Sequence, residues 1–311
     1  VQYRADRPRK DLAPDYAHQR RRCGYPAIHP DRKRVKNMSE KMNSSLFGDR
    51  EGKAIDASGR TPSARFHVPD ISSFALHVLA MLLMLCDHLW ATLLPQYAML
   101  THIGRIAFPI FAFLLAEGAR HTHDPKKYLL RLLIFAVLSE IPFDLMYGGI
   151  VFYPYHQNVL WTFLIALSGI FLAQSVEKKF RHRWMAVPLW AACIFICYAL
   201  GSLGMTDYYG FGVLTVFLFI LFPGTAWWQR LAQLVGLYWI NCQGLSGELL
   251  LVTIFNCTVE FPEQGLALLA LLPIWLYHGR QGYHSKIFQY ICYGFYPIHM
   301  LLLSLVLLLM Q

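Results

Sequence analysis

Residues 73–94 read SFALHVLAMLLMLCDHLWATLL. An apolar run of this length crosses a ~30 Å hydrocarbon core at about 1.5 Å per residue, which predicts a transmembrane helix. Two of its side chains, Asp87 and His88, do not suit lipid. A charged group at the centre of a membrane helix costs about 2.5–3.5 kcal/mol on insertion scales, so such residues face a polar interior and mark function. Neighbours on a helix point about 100° apart, so burying both calls for polar surroundings on two sides.

Further runs follow at 97–118 (interrupted by Gly104, Arg105 and Pro109), 128–147, 158–176, 184–200 and 208–222. The stretch 230–260 is split by Gly244 and Gly247, and runs at 264–278 and 286–310 close the chain. Backbone amides in lipid must be satisfied within the segment, and the ten-residue alternation of a membrane barrel is absent. The expected fold is an all-α polytopic membrane protein with about nine transmembrane helices, eight to ten being the range.

Composition excludes a soluble globular domain. Charged residues make up 15% of the chain, against roughly 25% in soluble proteins. Residues 1–70 hold 16 of the 28 Lys and Arg and 9 of the 19 Asp and Glu. This leaves only 12 basic and 10 acidic side chains for residues 71–311. Two domains are expected: a disordered basic extension over 1–70 and a membrane domain over 71–311. The chain opens on Val1, and Met38 and Met42 are candidate starts. The basic excess of the extension suits anionic lipid headgroups; no nucleic-acid recognition motif accompanies it. Seven cysteines show no metal-ligand spacing, and no metal site is expected.

Orientation follows from basic residues in short loops. Arg120, Lys126 and Lys127 follow the second run, and Lys178, Lys179, Arg181 and Arg183 the fourth. The loops after the first, third and fifth runs carry neither Lys nor Arg. This places the N-terminus in the cytoplasm. Asp87, His88, Arg105, Glu140, Asp144 and the loop residue His156 then fall in one outer layer, with His77 and Glu117 near the cytoplasmic face. In such a layer a carboxylate fixes an imidazole and raises its basicity, and Arg105 holds a carboxylate or a developing anion. The plain structural alternative is an Arg105–Glu140 or Arg105–Asp144 ion pair joining two helices, with His299 a lone buried histidine.

Several blocks resemble the TraX family: AMLLMLCDH (80–88), IGRIAFPIFAF (103–113), RLLIFAVLSEIPFDL (131–145), YHQNV (155–159), YHGRQG (277–282) and FYPIHMLLL (295–303). The resemblance covers roughly residues 71–311. It implies acyl transfer, with acetyl-CoA as cytoplasmic donor and a pilin N-terminus or a glycan as acceptor. It also implies kinship with the acyltransferase-3 proteins and the lysosomal heparan glucosaminide acetyltransferase. His88 matches the expected base, with Asp87 as its brace and Arg105 or Asn158 at the oxyanion. Glu140, Asp144, His156, Asn158, Tyr296 and His299 fall on the acceptor side. His77, Arg120, Lys126, Lys127 and Arg131 fall on the donor side. The family usually has Lys or Arg where this chain has His77. Two rival classes are a proton-coupled transporter, since a buried Asp, His and Arg cluster also suits a proton relay, and a non-catalytic helper in pilus assembly.

Overall fold

A computed structural model describes residues 70–310 apart from 181, 246, 255, 256 and 284. The expected disordered extension, residues 1–69, lies outside the described residues.

Helix α1 (Ser73–Thr92) starts where the Ser72 hydroxyl accepts the Ala75 N–H at 3.2 Å, an N-cap that satisfies a donor with no partner in the first turn. Two segments return along it, α2 (Met99–Gly104) and α3 (Ala107–His121), stepped at Arg105–Ile106. Helix α4 (Pro125–Gly148) is capped by Asp124 with proline in its first turn, and ends on Gly149 at φ 66. That left-handed position suits glycine. Asn158 caps α5 (Val159–Glu177), which is followed by α6 (Ala186–Leu203), α7 (Tyr209–Leu221) and α8 (Trp227–Tyr238). The chain ends on α10 (Lys286–Met310), which carries Pro297 within it.

The chain departs from the expected all-helical pattern at 230–260. Helix α8 passes into a π-helical stretch, Trp239–Leu245, and then into a hairpin. Strands β1 (Leu249–Ile254) and β2 (Cys257–Pro262) pair antiparallel, Leu249 opposite Pro262 and Ile254 opposite Cys257. Gly247, at φ 76, turns the chain out of the helix. The segments beyond it are rich in Val, Thr and Ile, whose branched Cβ atoms favour strands. The run expected at 264–278 is a 3₁₀ segment, Glu263–Ala270, with only a short α9 (Leu271–Trp275) behind it.

Among the described residues, five stretches are long and apolar enough to cross a membrane: Ser73–Thr92, Met99–His121, Val159–Glu177, Ala186–Leu203 and Ile287–Met310. Helix α4 is as long, but it carries Lys126, Lys127, Arg131, Glu140 and Asp144. Tyr209–Leu221 and Glu263–Trp275 are apolar and shorter.

Packing divides into two cores. The larger joins α1, α3, α5 and α7 through Leu76, Ile110, Leu167 and Val213, all fully buried. The smaller lies where α10 rests on α1 and α4, and consists of Phe143, Met146, Tyr296, Met300 and Leu303 with Met84 and Leu89 against them. His88 is framed by this second core.

Candidate functional site

His88 is buried, and its Nδ1 lies 2.7 Å from Nε2 of His299, which is 211 residues further along the chain. The ring planes differ by 11° with centroids 4.9 Å apart. A 2.7 Å contact is shorter than the thickness of two stacked rings, so the imidazoles meet edge to edge. His299 Nδ1 sits 2.6 Å from the Phe295 carbonyl oxygen. A carbonyl has no proton, so His299 donates from Nδ1 and, when neutral, presents a bare Nε2. His88 must therefore donate from Nδ1. This leaves the lone pair of His88 on Nε2, the state a general base requires.

The brace of His88 is thus His299, where Asp87 had been expected. Asp87 turns to α2, where its Oδ1 accepts the Thr101 hydroxyl at 2.8 Å. The helices meet closely there, because a Cβ on Gly104 would fall 2.5 Å from the Asp87 Cβ. Arg105 lies in the electrostatic range of Asp87 but pairs with Glu263, Nε to Oε1 3.5 Å. His102 approaches the same oxygen at 3.9 Å. The ion pair of Arg105 is therefore made with the segment after the hairpin, and neither Glu140 nor Asp144 supplies it. Sequence offered no route to Glu263, since it lay at the edge of a stretch read as helix.

Glu140 and Asp144 share a face of α4 and secure the loop that follows. Glu140 accepts the Trp161 indole N–H at 2.7 Å and an Asn158 amide N–H. Asn158 also donates to the Ala136 carbonyl at 2.9 Å and caps α5. Asp144 accepts the Tyr153 N–H at 2.9 Å. These bonds occupy the Asn158 amide and take it away from the oxyanion role.

His156 closes the layer. Its Nε2 lies 3.5 Å from Asp207, whose carboxylate hydrogen-bonds the ring and raises the imidazole above its ordinary 6.5. Its ring packs on Phe143 and Tyr147, and Tyr147 meets His88 edge-on at 6.4 Å. Asp207 and Tyr208 were not singled out in the sequence. They arrive on a turn where Met205, Tyr208 and Tyr209 all have positive φ, 49, 61 and 49, a conformation that costs a non-glycine residue about 1–2 kcal/mol. The turn is held to the 149–158 loop by Gln157 N–H to Met205 O at 2.9 Å and Asp207 N–H to Gln157 O at 2.8 Å. The only sequence signal was a lone acid in a loop otherwise without charge.

A cavity of about 460 Å³ leads to this layer from the opposite end. Its mouth is polar: Ser73, His77, Glu117, His121, Gln281 and Gln289. Its inner end is apolar, bounded by Met84, Phe111, Val159, Leu160, Phe295 and Tyr296. Ser73 and Met84 are eleven residues apart on α1, a depth of about 16 Å. Tyr296 joins the two regions, lining the cavity and lying 6.4 Å from His88 by ring centroids.

The donor-side residues expected from sequence separate here. His77 lines the cavity, with Nδ1 held by the Ser73 carbonyl at 2.8 Å. Arg120 pairs with Glu117 at the mouth. Lys126, Lys127 and Arg131 are exposed and line neither this cavity nor the second, smaller one beside it. Lys127 pairs with the α4 cap Asp124 at 3.0 Å, and Arg131 lies over the Tyr128 ring. Among the described residues, no group of three His, Cys, Asp or Glu is placed to hold a metal ion.

Apolar helices of spanning length around a buried histidine pair define a multi-pass membrane protein with a polar interior site. The family profile described as TraX protein matches residues 72–307, and the chain belongs to the TraX family. Among curated proteins it is similar to the "Probable fimbrial assembly protein FimC, serogroup H1" of Dichelobacter nodosus. The two are 29% identical over 249 residues, 75% of this chain and 95% of that protein. No solved structure matches. The relatives and the helices together make this a multi-pass bacterial membrane protein.

Proposed function

We propose that the protein is a membrane-embedded acyltransferase that takes an acyl group, acetyl in the simplest case, from a cytoplasmic CoA thioester. The acceptor is an amine or hydroxyl presented from the outer side, a pilin-like peptide first and a glycan second. One observation carries this reading: a cavity about 16 Å deep ends at Tyr296, beside a histidine whose Nε2 is left as a free base by its partner.

The proposed topology has nine crossings with the N-terminal side cytoplasmic. Helices α1 to α7, with α2 and α3 counted as one, supply six crossings. The continuous α8 and π-helical segment supplies the seventh, Glu263–Trp275 the eighth and α10 the ninth. The hairpin then lies on the outer side with Glu263, next to Arg105.

In the proposed reaction the cavity admits the thioester arm and excludes water. His88 Nε2 takes the proton of the acceptor as its N or O bonds to the thioester carbonyl carbon. The Tyr296 hydroxyl donates to the oxyanion. The C–S bond then breaks, and the CoA thiolate leaves with the proton held by His88. Proximity of a bound arm to a fixed base replaces a collision between two solutes.

The relative's name also fits a helper without catalytic activity, and one assay separates the two. Purified protein in nanodiscs is given radiolabelled acetyl-CoA, wild type against His88→Ala. Label passing to water or to an added peptide amine in a His88-dependent way supports the enzyme. Equal, background-level release from both proteins sinks it.

A further inference from the structure

A second recess of about 300 Å³ adjoins the mouth of the first and shares Glu117, Tyr277 and Gly279 with it. Its walls come from the end of α3, the 223–225 turn before α8 and the 277–279 loop, with Arg120, Thr225 and His278 among them. Arg120 is the fixed cation. One Nη2 hydrogen goes to Glu117, while its buried Nε has no hydrogen-bond partner among the described residues. Leaving a buried guanidinium N–H without an acceptor is unfavourable, and phosphate oxygens match the Nε and Nη pair as a fork. The turn at Pro223-Gly224-Thr225 adds a hydroxyl and lets backbone approach. Arg230 lies nearby, its side chain over Trp275 and bonded to the Trp275 carbonyl, which adds a second positive charge.

We propose that this recess binds a phosphate group, that of the donor's nucleotide head, with Arg120 as its principal contact and Thr225 and His278 beside it. This rests on the acyl-CoA reading above and completes it. An arm entering the first cavity leaves its charged head at the shared rim, where Arg120 is placed and the exposed Lys126, Lys127 and Arg131 are not. Glu117 plays the opposite part: it shares Arg120 with the incoming phosphate and weakens its hold. An anionic lipid headgroup offers the same phosphate chemistry from another source, so the experiment treats the two separately.

Binding of CoA, dephospho-CoA, pantetheine and inorganic pyrophosphate is measured by calorimetry on full-length protein in phosphatidylcholine nanodiscs. The measurements are repeated with phosphatidylglycerol added. Arg120→Gln is expected to weaken CoA at least about tenfold and to leave pantetheine unchanged. Glu117→Gln is expected to tighten CoA, a change of opposite sign that a misfolded variant cannot produce. Phosphatidylglycerol competing with CoA in an Arg120-dependent way identifies the lipid as a second ligand of the same recess and supports it. Pyrophosphate binding that depends on Arg120, without any CoA binding, keeps the recess and overturns the acyl-CoA reading. The recess itself is overturned if Arg120→Gln, folded by thermal melting, binds every phosphate ligand as wild type does. It is equally overturned if neither phosphate nor anionic lipid binds the wild type.

Discussion

The two histidines on α1, eleven residues apart, sit in different surroundings. His77 lies at the polar mouth of a cavity, its Nδ1 bonded within its own helix to Ser73. His88 is buried, and its Nδ1 is taken by a side chain from the far end of the chain. A local bond orients a ring at little loss elsewhere. A bond across 211 residues ties a tautomer to the packing of α10 on α1, so this arrangement forms only when the bundle is assembled. The inner cavity, by contrast, is shaped by apolar contacts that tolerate change.

The largest expected effect sharpens this contrast. Under the proposed function, His88→Ala loses about 10²–10⁴-fold in transfer rate, whereas His77→Ala alters donor KM and leaves kcat near wild type. Steady-state kinetics on both variants checks it, and equal losses in kcat would erase the distinction between them.

Next comes the close approach of α1 and α2. Gly104→Ala forces a Cβ into Asp87 and is expected to destabilise by about 1–3 kcal/mol, read as a lower melting temperature in detergent. An unchanged melting temperature would mean that the helices are not so near.

Asn158→Ala removes the α5 cap and leaves Glu140 with one partner fewer. A loss of about 0.5–2 kcal/mol is expected from the cap. Protease should then cut faster within residues 149–158, and an unaltered cutting rate argues against the bonds described.

The smallest effect is that of pH on the His156–Asp207 pair. Asp207 raises the folded pKa of His156, so the pair stabilises fully below the ordinary value of 6.5 and fades as pH rises through the raised one. Both groups are about a third exposed, so solvent screening holds the contribution under about 1 kcal/mol. Cleavage of the loop should quicken as pH rises across that window, and Asp207→Asn should flatten the dependence. A loop that tightens with rising pH contradicts the pair.

Much of the fold was legible because lipid imposes one rule, that apolar runs of spanning length become helices. The rule fixed α1, α5, α6 and α10 to within a few residues. It failed at 249–262, where β-branched residues beyond Gly247 make a hairpin, and at 263–270, where the chain tightens to 3₁₀ geometry. A common layer could be proposed from helix direction and depth, and in the packing Tyr147 lies against both His88 and His156. Depth says nothing of azimuth. Whether His88 faces Asp87's surroundings or α10 depends on how helices rotate and cross, and hence His299, Glu263 and Asp207 emerged as partners only from packing.

His299, bonded through Nδ1 to the Phe295 carbonyl, holds His88 in the tautomer that leaves Nε2 basic. Single-turnover acyl transfer from radiolabelled acetyl-CoA in His299→Gln and His299→Ala tests it most directly. A glutamine carbonyl can still accept from His88 Nδ1, so His299→Gln should keep much of the wild-type rate while His299→Ala falls toward the level of His88→Ala. A His299→Ala protein that transfers at the wild-type rate would contradict the account.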